Sequence, residues 1–167
     1  AYLLPIINRL SRGEGDPKKV NAVIMAPTRE LAIQIEQQVE GFAYFLPVSS
    51  VAIYGGTDGI AWEQQRRGMA LGAEIVIATP GRLLALMNLQ QADLSGVTYF
   101  VLDEADRMLD MGFQEDIMQI NNALPKDCQR VMFSATMPPK IKKFARTILP
   151  NPAEVELAIS RPPESIV

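Results

Sequence analysis

Asp103 and Glu104 are adjacent carboxylates that follow an apolar run, Tyr99 to Leu102. An acidic pair at the end of a buried strand suits a cation and a water. One carboxylate can hold Mg²⁺ through the ion's waters, because Mg²⁺ sheds water reluctantly. The other can orient or deprotonate an attacking water. The same pair could instead open a helix, with Asp103 as its N-cap and Glu104 beside the dipole. Ala105 and Asp106 complete the acidic tetrad.

Two arginines stand where a helix should begin. Arg29 follows Pro27 and Thr28, and Arg82 follows Thr79, Pro80 and Gly81. Thr28 and Thr79 suit N-caps, and Pro80 suits the first helical position. A cation is disfavoured beside a helix N-terminus. An anion such as a phosphate would explain it, and a solvated surface arginine is the plainer reading. Gly81 would let a backbone amide approach a ligand, so the second turn reads either as a good cap or as an amide-plus-guanidinium phosphate clamp. Gly55 and Gly56 are either a simple turn or amides offered to a sugar-phosphate backbone. Ser134 and Thr136 could cap the next helix, or bond to carboxylates at a neighbouring strand end.

These groups need a scaffold that brings them together. Val20 to Ala26, Val48 to Tyr54, Glu74 to Ala78, Tyr99 to Leu102 and Gln129 to Phe133 read as strands, several apolar on consecutive residues as in strands buried on both faces. A weaker strand is expected over Ala153 to Leu157. Helical stripes lie between them: Leu31, Ile35, Val39 and Phe42; Phe113, Ile117, Ile120 and Leu124; Ile141, Phe144, Ala145, Ile148 and Leu149. This alternation predicts an α/β fold of three layers, a mostly parallel sheet with helices on both faces. In such sheets ligands bind beyond the carboxyl ends of the strands, and every turn named above lies at such an end. Ala1 to Leu10 reads as the body of a helix without an N-cap, and the Pro-rich 161–167 segment as a linker leaving the domain.

The chain's 167 residues suit one domain. With a net charge of −3 it is no bulk-charge nucleic-acid binder, so any such contact must come from a few placed groups. The absence of histidine excludes His-based triads and His-ligated metals within it, and the single Cys128 can form no internal disulfide. No apolar run has the length of a membrane span and no signal peptide opens the sequence, which gives a cytoplasmic expectation.

In their order, PTRELA (27–32), GG (55–56), TPGR (79–82), DEAD (103–106) and SAT (134–136) resemble the first RecA-like domain of DEAD-box RNA helicases, over nearly the whole chain. The stretch VLDEADRMLDMGF (101–113) is the most specific part. The resemblance implies an RNA-stimulated ATPase that pries apart short RNA duplexes, with ATP and Mg²⁺ as its cofactors. It implies that Asp103 is a water-mediated Mg²⁺ ligand and Glu104 the catalytic base, the two facing the nucleotide. Asp106, Ser134 and Thr136 would couple hydrolysis to strand separation. Contacts to the RNA sugar-phosphate backbone would fall on Pro27, Thr28, Arg29, Gly55, Gly56, Thr79, Pro80, Gly81 and Arg82, positioning the strand without reading bases. A second RecA-like domain of the same parent chain would be a partner, and residues 1–160 would be domain 1, N-terminally incomplete.

One family segment has no counterpart. No G-x-x-x-x-G-K-[ST] loop occurs in the 167 residues. The segment from Arg12 to Lys19 has glycines and lysines, but it runs from helix to strand, whereas a phosphate loop runs from strand to helix. It reads as an ordinary surface loop, and the chain by itself is expected to lack ATPase activity. Two alternatives stay open: a binding module for RNA or protein without turnover, and a related translocase on DNA.

Overall fold

The computed structural model of the chain describes residues 1–157. The 161–167 linker expectation lies outside them. The elements run α1 (Leu3–Ser11), β1 (Ala22–Met25), α2 (Arg29–Phe42), β2 (Ser50–Ile53), α3 (Gly59–Ala70), β3 (Ile75–Ala78), α4 (Pro80–Asn88), β4 (Tyr99–Leu102), α5 (Ala105–Asp110), α6 (Gln114–Asn122), β5 (Gln129–Met132) and α7 (Pro139–Ile148). The strands form one sheet in the order β2-β3-β1-β4-β5, and every pairing is parallel. The expected α/β architecture is therefore present. No helix among the described residues is long and apolar enough to cross a membrane.

Consecutive apolar residues make the central strands because both their faces are covered. β1 and β3 are buried at every position. Alternate residues serve opposite layers. Val23, Met25, Val76, Phe100 and Leu102 pack on one side, with Leu83 and Leu86 of α4, Met108 of α5, Ile117 of α6, and Ile141 and Phe144 of α7. Ile24, Ile75, Ile77 and Val101 face the other side, where Ile6 and Leu10 of α1 meet Ile35 and Val39 of α2.

An edge strand exposes unpaired amides. On β2 these are met by side chains: Ala52 N–H donates to Glu36 Oε1 at 2.9 Å, and Tyr54 N–H to Gln65 Oε1 at 3.0 Å. α3 depends on this contact. Its only buried residues are Gln65 and Met69, which is why no apolar stripe announces it.

Several expectations need correction. Ala153 to Leu157 is no strand; Val155 and Leu157 are exposed and have no ladder partner among the described residues. Phe42 is exposed at the end of α2 instead of completing the buried stripe. Phe113 and Leu124 flank α6 and lie outside it. The Arg12 to Lys19 segment is, as expected, a surface turn between α1 and β1. Buried Asn21 donates to the carbonyls of Asp16 and Lys19 and accepts from Asp16 N–H, so that part of its backbone is already bonded. Cys128 is a buried free thiol, and burial pushes its pKa up to about 11.

Candidate functional site

Parallel strands end on the same side, so the sheet order dictates the order of the turns along one rim. Gly55 and Gly56 follow β2, Thr79 to Arg82 follow β3, Pro27 to Arg29 follow β1, the acidic tetrad follows β4, and Ser134 to Thr136 follow β5. Four strand spacings separate the ends of this row, roughly 19 Å. Backbone bonds tie the turns laterally: Thr79 N–H to Ile53 O at 3.0 Å, Ala26 N–H to Ala78 O at 2.9 Å, Asp103 N–H to Met25 O at 3.0 Å, and Ala105 N–H to Phe133 O at 2.9 Å. The rim has a polarity, with an arginine in each of the turns over β3 and β1 and carboxylates over β4.

On the acidic half, Asp103 Oδ1 accepts from Glu104 N–H at 2.9 Å and Oδ2 accepts from the Tyr2 hydroxyl at 2.7 Å. Burial and this bond to a carboxylate push the Tyr2 phenol pKa well up, which keeps it a donor. Asp103 does not cap α5; Glu104 holds the N-cap position and makes no side-chain cap. Glu104 sits in the left-handed region, at φ 50 and ψ 51, a conformation costing about 1–2 kcal/mol for a residue with a Cβ. Its carboxylate makes a single long contact, 3.5 Å to Arg107 Nη1, and its side chain is 42% exposed. It is therefore open to water. No cluster of three or more His, Cys, Asp or Glu side chains converges on a metal position among the described residues. Each Asp103 oxygen accepts one bond and keeps a second lone pair. This donor set does not fit a protein cage. It fits Mg²⁺ that keeps its waters and takes other ligands from a phosphate.

The expected link from the tetrad to β5 is present. Asp106 Oδ2 accepts from Thr136 Oγ1 at 2.9 Å and from Thr136 N–H at 3.2 Å. Ser134 Oγ donates to Thr136 O at 2.7 Å and shapes that turn. Burial pushes the Asp106 pKa up, but the bonds from Thr136 and from Arg107 N–H outweigh it and hold the carboxyl below its usual value.

On the cationic half, Thr28 caps α2 by accepting from Leu31 N–H, and Pro27 is buried beneath the turn. Thr79 occupies the N-cap of α4, but its hydroxyl makes no capping bond. Pro80 begins α4 as expected. Arg29 Nη1 donates to Gly56 O at 2.9 Å. Gly56 has φ +75, so the turn needs glycine for its backbone, and it is a carbonyl that faces Arg29. Gly55 has open surroundings, whereas a Cβ at Gly81 would meet Asp116 Oδ2 at 3.7 Å.

Aromatic residues at the rim escaped the sequence reading. The Arg29 guanidinium lies 5.5 Å from the Tyr54 ring centroid, and that of Arg82 lies 3.8 Å from Trp62. The Tyr2 ring packs against Phe133 at 5.2 Å. For Trp62 there was a signal: it is the chain's single tryptophan, between the glycine pair and the Thr79 turn.

Residues 1–144 match a family model described as DEAD/DEAH box helicase. The ATP-dependent RNA helicase DBP2 of Scheffersomyces stipitis is 42% identical over 163 residues, covering 94% of this chain and 29% of that protein. The ATP-dependent RNA helicase dbp3 of Aspergillus niger is 44% identical over 157 residues, covering 92% of this chain and 31% of that protein. A solved structure of a Saccharomyces cerevisiae dbp5 variant bound to a gle1 variant and IP6 superposes with a TM-score of 0.77 at 32% identity, covering 89% of this chain and 37% of that one. The chain thus spans less than a third of either curated relative.

Proposed function

This chain belongs to the DEAD/DEAH box helicase family, and from that premise we propose that it serves as the first RecA-like motor domain of an ATP-dependent RNA helicase. The observation that carries this reading is the rim. Five turns stand in one row, two of them bearing arginines and one the acidic tetrad, and that tetrad is joined to the Ser134–Thr136 turn by two hydrogen bonds on one carboxylate oxygen.

Glu104 is the base or water-positioning residue. Its carboxylate is partly exposed and weakly paired, at a left-handed position just beyond β4. Asp103 would hold Mg²⁺ through waters, and when bound the ion would neutralise charge on the nucleotide's phosphates. Asp106, Ser134 and Thr136 form the mechanical link. Any shift of the nucleotide-facing tetrad pulls on the β5 turn through Thr136.

RNA lies along the cationic half. Arg29 and Arg82 meet backbone phosphates, while Pro27, Thr28, Gly55, Gly56, Thr79, Pro80 and Gly81 shape the surface and offer backbone amides where these are open. Contacts of this kind position a strand and carry no sequence information. A second RecA-like domain of the intact protein would close over the same rim. The low net charge is consistent with a few placed cations in place of a basic surface.

The test is Glu104→Gln in the intact protein. RNA-stimulated phosphate release should fall by about 10²–10⁴-fold, the range for loss of a general base, while ATP still binds. Turnover within a few-fold of the unaltered protein would remove Glu104 from the chemistry. Stimulation by single-stranded DNA equal to that by RNA would favour the DNA-translocase alternative.

A further inference from the structure

Arg82 has features that a place at a helix start does not explain. Its guanidinium carbon stands 3.8 Å from the centroid of the Trp62 ring, a stacking distance. Its Nε is buried and has no hydrogen-bond partner. Among the described residues it forms no ion pair. The cation is held by a ring face instead of an anion.

That choice of partner has a chemical consequence. All five N–H donors of a guanidinium lie in its plane. A carboxylate would consume the donor edge, whereas a ring against the face leaves the terminal Nη–H donors free, the buried Nε–H aside. Stacking also restricts a long side chain that would otherwise lose its freedom on meeting a ligand. Arg29 differs. It spends one donor on Gly56 O, bracing the glycine turn, and its ring contact is longer at 5.5 Å, so fewer of its donors remain for a phosphate. We infer that Trp62 is a positioning residue for RNA: its indole holds the Arg82 guanidinium flat, with the donor edge turned toward a backbone phosphate. This rests on the reading that Arg82 contacts RNA.

The platform itself is fixed. Trp62 packs on the core cluster that includes Met69 and Leu86. α3 is drawn onto β2 by the Gln65 bond to Tyr54 N–H and by the close approach of Gly68 to Val51. A lysine at position 82 could not use the arrangement, since an ammonium has neither the flat face nor the fork.

The experiment measures affinity for single-stranded RNA across a salt series in the intact protein. The variants are Trp62→Leu, Trp62→Phe, Arg82→Ala, Arg82→Lys and the Trp62→Leu/Arg82→Ala double. Trp62→Leu should weaken binding about fivefold. It should also flatten the log-log salt slope by about 0.7, as Arg82→Ala does, because one phosphate contact is lost. Trp62→Phe should recover most of both. The double variant should bind no more weakly than Arg82→Ala alone. Should Trp62→Leu fail to fold, the difference in emission between the unaltered protein and Trp62→Phe isolates Trp62; RNA should change it, and in Arg82→Lys that change should be lost. Additive losses in the double variant, or an RNA-induced emission change that survives Arg82→Lys, would overturn the role of Trp62 and leave Arg82 in the RNA site. An Arg82→Ala variant with unaltered affinity and slope would overturn both.

Discussion

At the scale of single residues, Asp106 is where opposing forces balance most visibly. Burial alone would raise its pKa, yet the Thr136 hydroxyl and the amides of Thr136 and Arg107 favour the charged form and prevail. A folded pKa below the unfolded value near 3.9 gives stability that is fully present above about pH 4 and is lost as the pH falls through the lowered folded value. Thr136→Ala removes a donor to this charge and should cost about 0.5–1.5 kcal/mol at pH 7. Denaturant titrations of both proteins from pH 7 to pH 3 should show that gap constant down to about pH 4 and then closing. A gap that widens on acidification would mean the bond favours the neutral carboxyl, contrary to this assignment. That the Ser134 and Thr136 hydroxyls could meet carboxylates at another strand end was readable in the sequence; their pairing with Asp106 came only from the family resemblance, and the β4–β5 neighbourhood that permits it came from the fold. The Tyr2 hydroxyl on Asp103, a partner 101 positions away, was not readable.

Among the elements, α3 is the one the sequence hides and the site needs. It has almost no apolar face, and it holds its place by fitting closely against β2. A Cβ at Gly68 would come within 2.7 Å of Val51 Cγ2 and 3.1 Å of its Cβ. Gly68→Ala should therefore destabilise the chain by about 1–3 kcal/mol despite improving helix propensity. Val51→Ala in the same chain should return part of that loss. Urea melts of the two variants decide it; a stabilised Gly68→Ala would mean that propensity outweighs the contact. Because Trp62 rides on α3, the substitution should also weaken RNA binding more than its stability effect predicts. β2 contributes a second lesson. Burial raises the pKa of Glu36 against the lowering effect of the Ala52 amide. Covering a sheet edge with a carboxylate thus has an electrostatic cost that no pattern of apolar residues reveals.

For the molecule as a whole, the decisive fact is that all four strand pairings are parallel. Residues from five separate stretches then reach one rim without any long loop having to carry them there. The rim has acidic and cationic halves, but the 167 residues contain no G-x-x-x-x-G-K-[ST] cradle for nucleotide phosphates. Each charge-assisted bond such a cradle makes contributes about 1.5–3 kcal/mol. The 167-residue chain alone should accordingly give no RNA-stimulated phosphate release above background, as a coupled phosphate assay would record. Release at the rate of the intact protein would mean that the rim suffices without a cradle.

The sequence by itself determined the strands of the sheet, the parallel three-layer architecture and the residue types at each strand end. Those follow from local rules: consecutive apolar residues demand cover on both faces, and turns are built from a small set of capping and hinge residues. Tertiary structure alone decided which turns are neighbours, which carboxylate oxygen meets which donor, and that a tryptophan from an unannounced helix lies against Arg82. Strand order and side-chain stacking depend on how whole faces pack in three dimensions, and contacts between residues distant in the chain leave no periodic trace along it.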